Sequence, residues 1–269
     1  MPKQIDEATW RKYLSGELRD LYQMYHLIRW IPSEPRCSIC NAPFGGFGGR
    51  LMKLIRRGPS DKNPRFCALC TDMIKAYPGG VEIELTMLFV DARGSTSLAE
   101  KMSATEFSQL LKRFYHVATD VLTKTEAVID KLVGDEVVAL YIPGITGPHH
   151  ARKAIEAAQD LLRVTGHGDP AGAWLPIGVG VHTGVAFVGN VSGVDGVVHD
   201  FTALGDNVNI TARLASKAGA GEALISDATY ATAGLNFGEL EQRQLELKGK
   251  SEPVGVRVVR VESVATEAK

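Results

Sequence analysis

Residues 128–141 read VIDKLVGDEVVALY, and this stretch decides the fold. Val128, Leu132 and Val133 lead into Gly134-Asp135, and Val137, Val138, Leu140 and Tyr141 lead away from it. β-Branched and aromatic residues in such short runs suit strands, and the Gly-Asp pair suits a tight turn between them. The spacing therefore predicts a hairpin with Asp135 at its tip. One aspartate in a turn carries little meaning, because Asp favours turns for its own backbone hydrogen bonding. A second one, Asp91, ends the apolar run LTMLFV at 85–90. Two carboxylates at the ends of two buried strands can hold a pair of divalent cations, the arrangement that phosphoryl and nucleotidyl transfer need.

Around these two strands the pattern alternates between helix and strand. The strand at 83–90 is followed by DARGSTS, a small-residue turn opening a helix. Backbone N–H groups at Gly94, Ser95 and Thr96 and the helix dipole suit a phosphate there. Ser103-x-x-Glu106 is a capping box for a helix over 104–125. A further helix is predicted over 148–165, and 177–182 with 185–189 read as a hairpin about Thr183-Gly184. In 198–215, VHDFTALGDNVNITARLA, a helix starts after Gly205-Asp206. Asn209 and Arg213 are four apart and share one of its faces. Taken alone, they read equally well as a structural hydrogen-bonder and a surface charge. Strands at 224–226, 242–247 and 254–261 follow, with Lys248-Gly249-Lys250 in the last turn, where solvated lysines are commonplace.

The remaining third differs in charge. Residues 1–80 hold 13 Lys/Arg against 7 Asp/Glu, whereas 81–269 hold 17 against 24, and the sign changes at Pro78-Gly79-Gly80. Overall, 45% apolar and 23% charged residues are ordinary for a soluble globular protein. No apolar run approaches the roughly 20 residues of a membrane span, and the start lacks a signal-peptide core, so a cytoplasmic location is expected. Residues 6–31 read as one helix, with Leu14, Leu18, Leu21, Tyr25 and Ile28 at heptad spacing. This helix either packs on its own domain or pairs two protomers.

All four cysteines occur as Cys37-x-x-Cys40 and Cys67-x-x-Cys70. Two such pairs and no other cysteine predict a four-thiolate site holding one structural zinc ion, with an iron–sulfur cluster as the alternative. Two disulfides are disfavoured in a reducing compartment. The second pair opens a helix whose positive end favours thiolates, which resembles a treble-clef finger. Arg50, Lys53, Arg56 and Arg57 surround Leu51, Leu54 and Ile55 without a recognition-helix or stacking pattern. They read as a solvated helix face, and no nucleic-acid partner is expected.

Five ordered motifs carry a family resemblance: LFVDARGSTSLAEKM, DKLVGDEVVALYIP, GVGVHTGVAFVGNV, DFTALGDNVNITARLAS and LELKGKSEPV. Over roughly 82–261 the chain resembles the class III nucleotidyl cyclase catalytic domain. The resemblance implies an α/β (α+β) fold, a ferredoxin-like βααβ core with antiparallel strands, preceded by the helix and the treble-clef-like zinc module. The organisation expected is 1–32 helix with a dimerisation option, 33–80 four-cysteine module, and 81–269 catalytic domain. It further implies that Asp91 and Asp135, with the Ala92 carbonyl, bind two Mg2+ or Mn2+ ions. Lys131 and Thr202 then look like the base-reading pair, Asn209 the ribose-orienting residue, Arg213 the transition-state arginine and Lys248 the lysine on the terminal phosphates. Ser95 stands where a phenylalanine is common, and Thr202 where mammalian membrane-bound enzymes carry aspartate. The Lys–Thr pair marks a subgroup in which some members respond to bicarbonate.

The expected reaction is attack of the ribose 3′-hydroxyl of ATP on its α-phosphorus, giving 3′,5′-cyclic AMP and pyrophosphate at a homodimer interface. Adenine N1 accepts a hydrogen bond from Lys131, and the adenine amino group can give one to Thr202, whereas guanine N1 would meet Lys131 donor to donor. The alternatives are a guanylate cyclase and a catalytically silent cyclase-like sensor or interaction protein.

Overall fold

A continuous apolar strand demands cover on both faces, and residues 85–90 have it: all six are buried. The structure, a computed structural model, describes residues 7–17, 35–37, 42–61, 63–76, 79–192, 199–262 and 266–267. The first elements are α1 (Glu7–Ser15), α2 (Gly46–Leu54), α3 (Ala68–Ala76) and β1 (Gly79–Ala92). Then come α4 (Ser95–Lys101), α5 (Ala104–Lys124), β2 (Val128–Val133), β3 (Glu136–Tyr141), α6 (Pro143–Thr146) and α7 (His150–Val164). They are followed by β4 (Ile177–Ser192), β5 (His199–Leu204), α8 (Asp206–Lys217), β6 (Glu222–Ser226) and α9 (Asp227–Ala233). The chain ends in β7 (Leu235–Asn236), β8 (Glu241–Leu245), β9 (Val254–Val259) and β10 (Thr266–Glu267).

One sheet runs in the order β2-β3-β1-β4-β6-β9-β8, with β5 paired to β4, and β7 pairs β10 apart from it. The chain divides into two compact units. The larger comprises Glu84–Tyr141, His149–Val185 and Gly205–Lys269. Its core is formed by α5 (Phe114, Ala118, Leu122) and α7 (Ile155, Ala158, Leu162), with Leu88, Val90, Val137, Ala139, Val179 and Val181 from the strands. This mixed α/β arrangement is of the expected fold class. The strands are not uniformly antiparallel, however: β4 and β6 are parallel, Gly178 opposite Glu222. Parallel neighbours require a crossover, and α8 lies in the chain between them. The capping box forms as read, Ser103 Oγ accepting from the Glu106 amide while the Glu106 carboxylate accepts from the Ser103 amide at 2.9 Å.

The hairpin expected about Thr183-Gly184 is absent, and residues 177–192 make one strand. Thr-Gly here serves a close approach instead of a turn. A β-carbon on Gly184 would lie 2.6 Å from the Asn207 carboxamide carbon.

A charged cluster ties β6, β8 and the end of β9 together. Glu222 accepts from Arg243 Nη1 and Nη2 at 2.8 and 2.7 Å and from Arg260 at 2.7 Å, and Glu241 accepts from Arg243 Nε and Arg260. The Arg243 hydrogen bonds hold the Glu222 carboxyl down to about 2. A carboxyl depressed in the folded state stabilises above its unfolded value and loses that contribution as pH falls towards the folded one. The melting temperature is therefore expected to fall between about pH 5 and pH 2, and less steeply in Glu222→Gln. Parallel acid-melting curves for both proteins would show that the cluster contributes nothing.

The smaller unit comprises Met1–Ile83, Ile142–Pro148 and Ala186–Leu204. Here the long amino-terminal helix is corrected: α1 stops at Ser15, and Gly16 takes φ +86°, a left-handed conformation that ends helices. Trp10 and Leu14 are buried, and Trp10 stacks on Phe201 with ring centroids 6.2 Å apart. The start of the presumed seam thus packs on its own unit, while Leu18, Leu21, Tyr25 and Ile28 lie outside the described residues. No helix among the described residues is long and apolar enough to cross a membrane.

Candidate active site and metal centres

Asp91 sits at the end of β1 opposite Glu136, the first residue of β3, and the Ala92 amide donates to the Asp135 carbonyl at 3.1 Å. The β2–β3 turn needs a left-handed residue, and Gly134 supplies it with φ +59°. Tyr115 on α5 donates its hydroxyl hydrogen to the Gly134 carbonyl and so braces the turn from outside the hairpin. Asp91, Asp135 and Glu136 consequently crowd together. Burial raises Asp91, the Arg93 guanidinium opposes this, and the Asp135 carboxyl adds to it. Burial likewise raises Glu136, with Asp91 and Asp135 contributing. Half-buried carboxylates that repel one another are stabilised by a cation, and an all-oxygen donor set suits Mg2+ or Mn2+. The residues present therefore fit such ions.

Arg93 supplies one positive charge, 3.0 Å from Asp91. Its side chain continues to the end of α8, donating to the carbonyls of Ala215 and of Ser216, the latter at 3.2 Å. Gly94 at φ +72° precedes α4 as its N-cap, with no side chain capping the helix, and Ser95 and Thr96 form the first turn.

A basic group gathers elsewhere in the same unit. Arg213 on α8 extends along the Lys248–Lys250 turn, its guanidinium nitrogens 3.8–3.9 Å from where a Gly249 β-carbon would sit. Lys250 pairs with Asp206 at the start of α8. Lys248 and Asn209 are both exposed. Lys131 stands on β2, its ammonium 3.2 Å from the buried Asp130 carboxylate, at an irregularity in the β2–β3 register. Thr202 belongs to the smaller unit, buried on β5 opposite Gly189, its hydroxyl 3.5 Å from the Ala203 carbonyl.

Sequence reading missed Asp130, Arg93, Glu136 and Tyr115. Asp130 and Glu136 were visible as charges inside apolar strands, a pattern that demands a partner. Arg93 and Tyr115 act on carbonyls distant in sequence, and no local pattern marks that.

In the smaller unit the sulfurs of Cys37, Cys67 and Cys70 lie within 4.8 Å of one another, all three residues are buried, and none forms a disulfide. The Cys67 amide donates to Cys37 Sγ at 3.2 Å and the Cys70 amide to Cys67 Sγ at 3.3 Å. Amide-solvated sulfurs at a helix start fit a soft metal ion bound as thiolates. Cys40 lies outside the described residues. Arg50, Lys53 and Arg56 are exposed, and so are Leu51, Leu54 and Ile55.

A carboxylate cluster on strand ends, a glycine-led helix start beside it and a separate basic turn define an α/β domain equipped for polyphosphate chemistry. The chain belongs to the adenylate and guanylate cyclase catalytic domain family, whose family model matches residues 82–259. It is 30% identical over 134 residues to the adenylate cyclase of Anabaena cylindrica, covering 48% of this chain and 26% of that protein. Among solved structures, the guanylyl cyclase Cya2 superposes with a TM-score of 0.60 at 27% identity, over 67% of this chain and 93% of that one. The adenylyl cyclase CyaB from P. aeruginosa gives 0.58 at 31% identity, over 66% and 94%. The chain thus spans about a quarter of that curated relative and nearly the whole of the solved catalytic domains.

Proposed function

We propose that the domain is an adenylate cyclase of the Lys–Thr subgroup, converting ATP to 3′,5′-cyclic AMP and pyrophosphate. The observation that carries this reading is the clustering of Asp91 and Asp135 at the end of β1 and the β2–β3 turn, beside the open start of α4. Bound there, two Mg2+ or Mn2+ ions would acidify the ribose 3′-hydroxyl and neutralise triphosphate charge. Asp91, Asp135 and the Ala92 carbonyl would hold them, and the amides of Gly94, Ser95 and Thr96 would receive phosphate oxygens. Asn209 orients the ribose, which supplies proximity. Arg213 offsets charge growing on the α-phosphate, and Lys248 binds the terminal phosphates from the adjoining turn.

Lys131 reads adenine N1, with Asp130 fixing the direction of its ammonium, and Thr202 accepts from the adenine amino group. The carboxylate half and the basic half meet across a twofold axis between two chains. Leu132 and Val133, 41% and 60% exposed at the hairpin tip, give apolar surface for that contact.

Turnover of ATP and GTP by the purified chain with Mg2+ or Mn2+, with and without bicarbonate, tests the reading. Cyclic AMP should be the main product, and Lys131→Ala should lower ATP turnover by about one to two powers of ten while narrowing the ATP/GTP preference. A lost charged hydrogen bond is worth roughly 1.5–3 kcal/mol. An unchanged ratio would remove Lys131 from base reading. Cyclic GMP as the main product would make the chain a guanylate cyclase, and no turnover of either nucleotide would favour a silent sensor.

A further inference from the structure

A buried chain of seven side chains crosses the larger unit and ends on α8, the helix that carries Asn209 and Arg213. His150 Nδ1 lies 2.8 Å from Thr86 Oγ1, which lies 2.7 Å from Thr183 Oγ1. Thr183 Oγ1 lies 3.1 Å from Thr229 Oγ1, and Thr229 Oγ1 lies 3.0 Å from Ser226 Oγ. Ser226 Oγ lies 2.9 Å from His182 Nδ1, and His182 Nε2 lies 2.9 Å from Asn207 Oδ1. Both histidines, the three threonines and the serine are buried.

Counting protons fixes the direction of every bond. Asn207 Nδ2 donates to the Val185 carbonyl at 2.8 Å, so the amide oxygen, which only accepts, must face His182. His182 Nε2–H therefore donates, and its Nδ1 accepts from Ser226. Ser226 has then given its only hydrogen, so it can only accept from Thr229, whose hydrogen also has the Val181 carbonyl within 3.5 Å. With either acceptor Thr183 donates to Thr229, Thr86 to Thr183, and His150 Nδ1–H to Thr86. Each hydroxyl gives once along a single direction, with no donor facing a donor. A satisfied buried network of this kind rigidifies what it touches.

What it touches at the far end lacks a side-chain cap, although Lys250 pairs with Asp206 there and Thr211 donates to the Asn207 carbonyl at 2.8 Å. Gly205 provides no side chain to cap α8, and the Asn209 amide reaches the Gly205 carbonyl only at 3.4 Å. Asn207, in the first turn, is instead clamped sideways to β4 by His182 and Val185, in space that Gly184 leaves open. We propose that His182 and Asn207 are positioning residues that fix the first turn of α8, and through it Asn209 and Arg213. This rests on the cyclase reading of those two residues.

Protonation of His182 is incompatible with the chain as directed, because Nδ1–H would meet a Ser226 hydrogen. Burial lowers His182, with the Asn207 hydrogen bond and Asp206 opposing and Lys250 assisting. Burial also lowers His150, opposed by Glu84. The neutral state is thus the ordinary one, and kcat should decline as pH falls below the usual histidine range.

The test uses the full chain, with kcat and KM for ATP and amide hydrogen exchange over 206–217. His182→Ala and Asn207→Ala should lower kcat by about 10- to 100-fold with KM shifted far less, and exchange at the start of α8 should accelerate about tenfold. His182→Gln can accept from Ser226 and donate to Asn207 but cannot titrate. It should restore most of kcat and flatten the acid decline. Wild-type kcat and wild-type exchange in both alanine variants would overturn the proposal, as would a glutamine variant no better than alanine. Should those variants fail to fold, Gly184→Ala, which crowds the Asn207 amide, should give the same kcat loss, and wild-type kcat there would overturn it. If the wild-type protein turns over neither ATP nor GTP, the cyclase reading fails, and exchange alone decides whether this clamp holds α8.

Discussion

Asp91→Ala and Arg213→Ala should each lose nearly all cyclase activity, on the order of a hundredfold or more, and regain about a quarter of it when mixed. The first loss follows from removing one of the two carboxylates, Asp91 and Asp135, of the proposed cation site. The second follows from removing the guanidinium beside the Lys248–Lys250 turn. Recovery follows from symmetry. If each site takes its carboxylates from one protomer and its arginine from the other, a heterodimer of the two variants has one intact site and one doubly damaged site. Free exchange of equal amounts makes about half the dimers heterodimers, so about a quarter of all sites are intact. Activity measured after demonstrated subunit exchange decides the matter. No recovery would place the complete site within one chain.

The cysteine module should respond as strongly, in stability. One zinc ion per chain is expected, and Cys67→Ser, Cys40→Ser or a strong chelator should each unfold residues 33–80 while 84–141 stays folded. Cys67 is fully buried and its sulfur accepts from the Cys70 amide, so an unmetallated cluster leaves buried thiols with weak bonds. Their core, among the described residues, comprises Cys37, Ala42, Cys67 and Cys70 with Phe44, Met52 and Leu69 packed on it. Structural zinc in comparable sites contributes about 10–16 kcal/mol of folding free energy, more than so small a core can replace. Metal analysis together with limited proteolysis reads both halves. Folded protein containing neither zinc nor iron would refute the site, and a visible absorption band with iron would replace zinc by a cluster.

Local chemistry explains what was legible in the sequence. The β2–β3 hairpin, the Ser103–Glu106 capping box and the start of α8 after Gly205-Asp206 are each specified by residues a few positions apart, and all three form as read. The cysteine pairs announced a cluster, and three of their sulfurs converge. The errors came where a glycine's own conformation or a tertiary contact overrides a longer pattern. Heptad spacing ran through Gly16, whose backbone ends α1. Thr183-Gly184 resembled a turn, yet the threonine serves a buried hydroxyl chain and the glycine makes room for Asn207. Of the candidate site, the individual carboxylates and basic residues could be found in sequence. Their supports could not, since Arg93 and Tyr115 reach carbonyls 122 and 19 positions away.

The unbroken course of β4 also determines where this gene tolerates insertions and deletions. A codon added or lost at Thr183-Gly184 would be absorbed harmlessly by a hairpin loop. In a strand it inverts the facing of everything beyond the change, because side chains alternate with a period of two. Ala186 and Val188, both buried, would turn outward and Val185 and Phe187 inward, while the pairing of 187–192 with β5 slipped by one. A segment that looks like a connector is therefore among the least permissive points in the chain for length variation, and affinity tags or reporter insertions belong elsewhere.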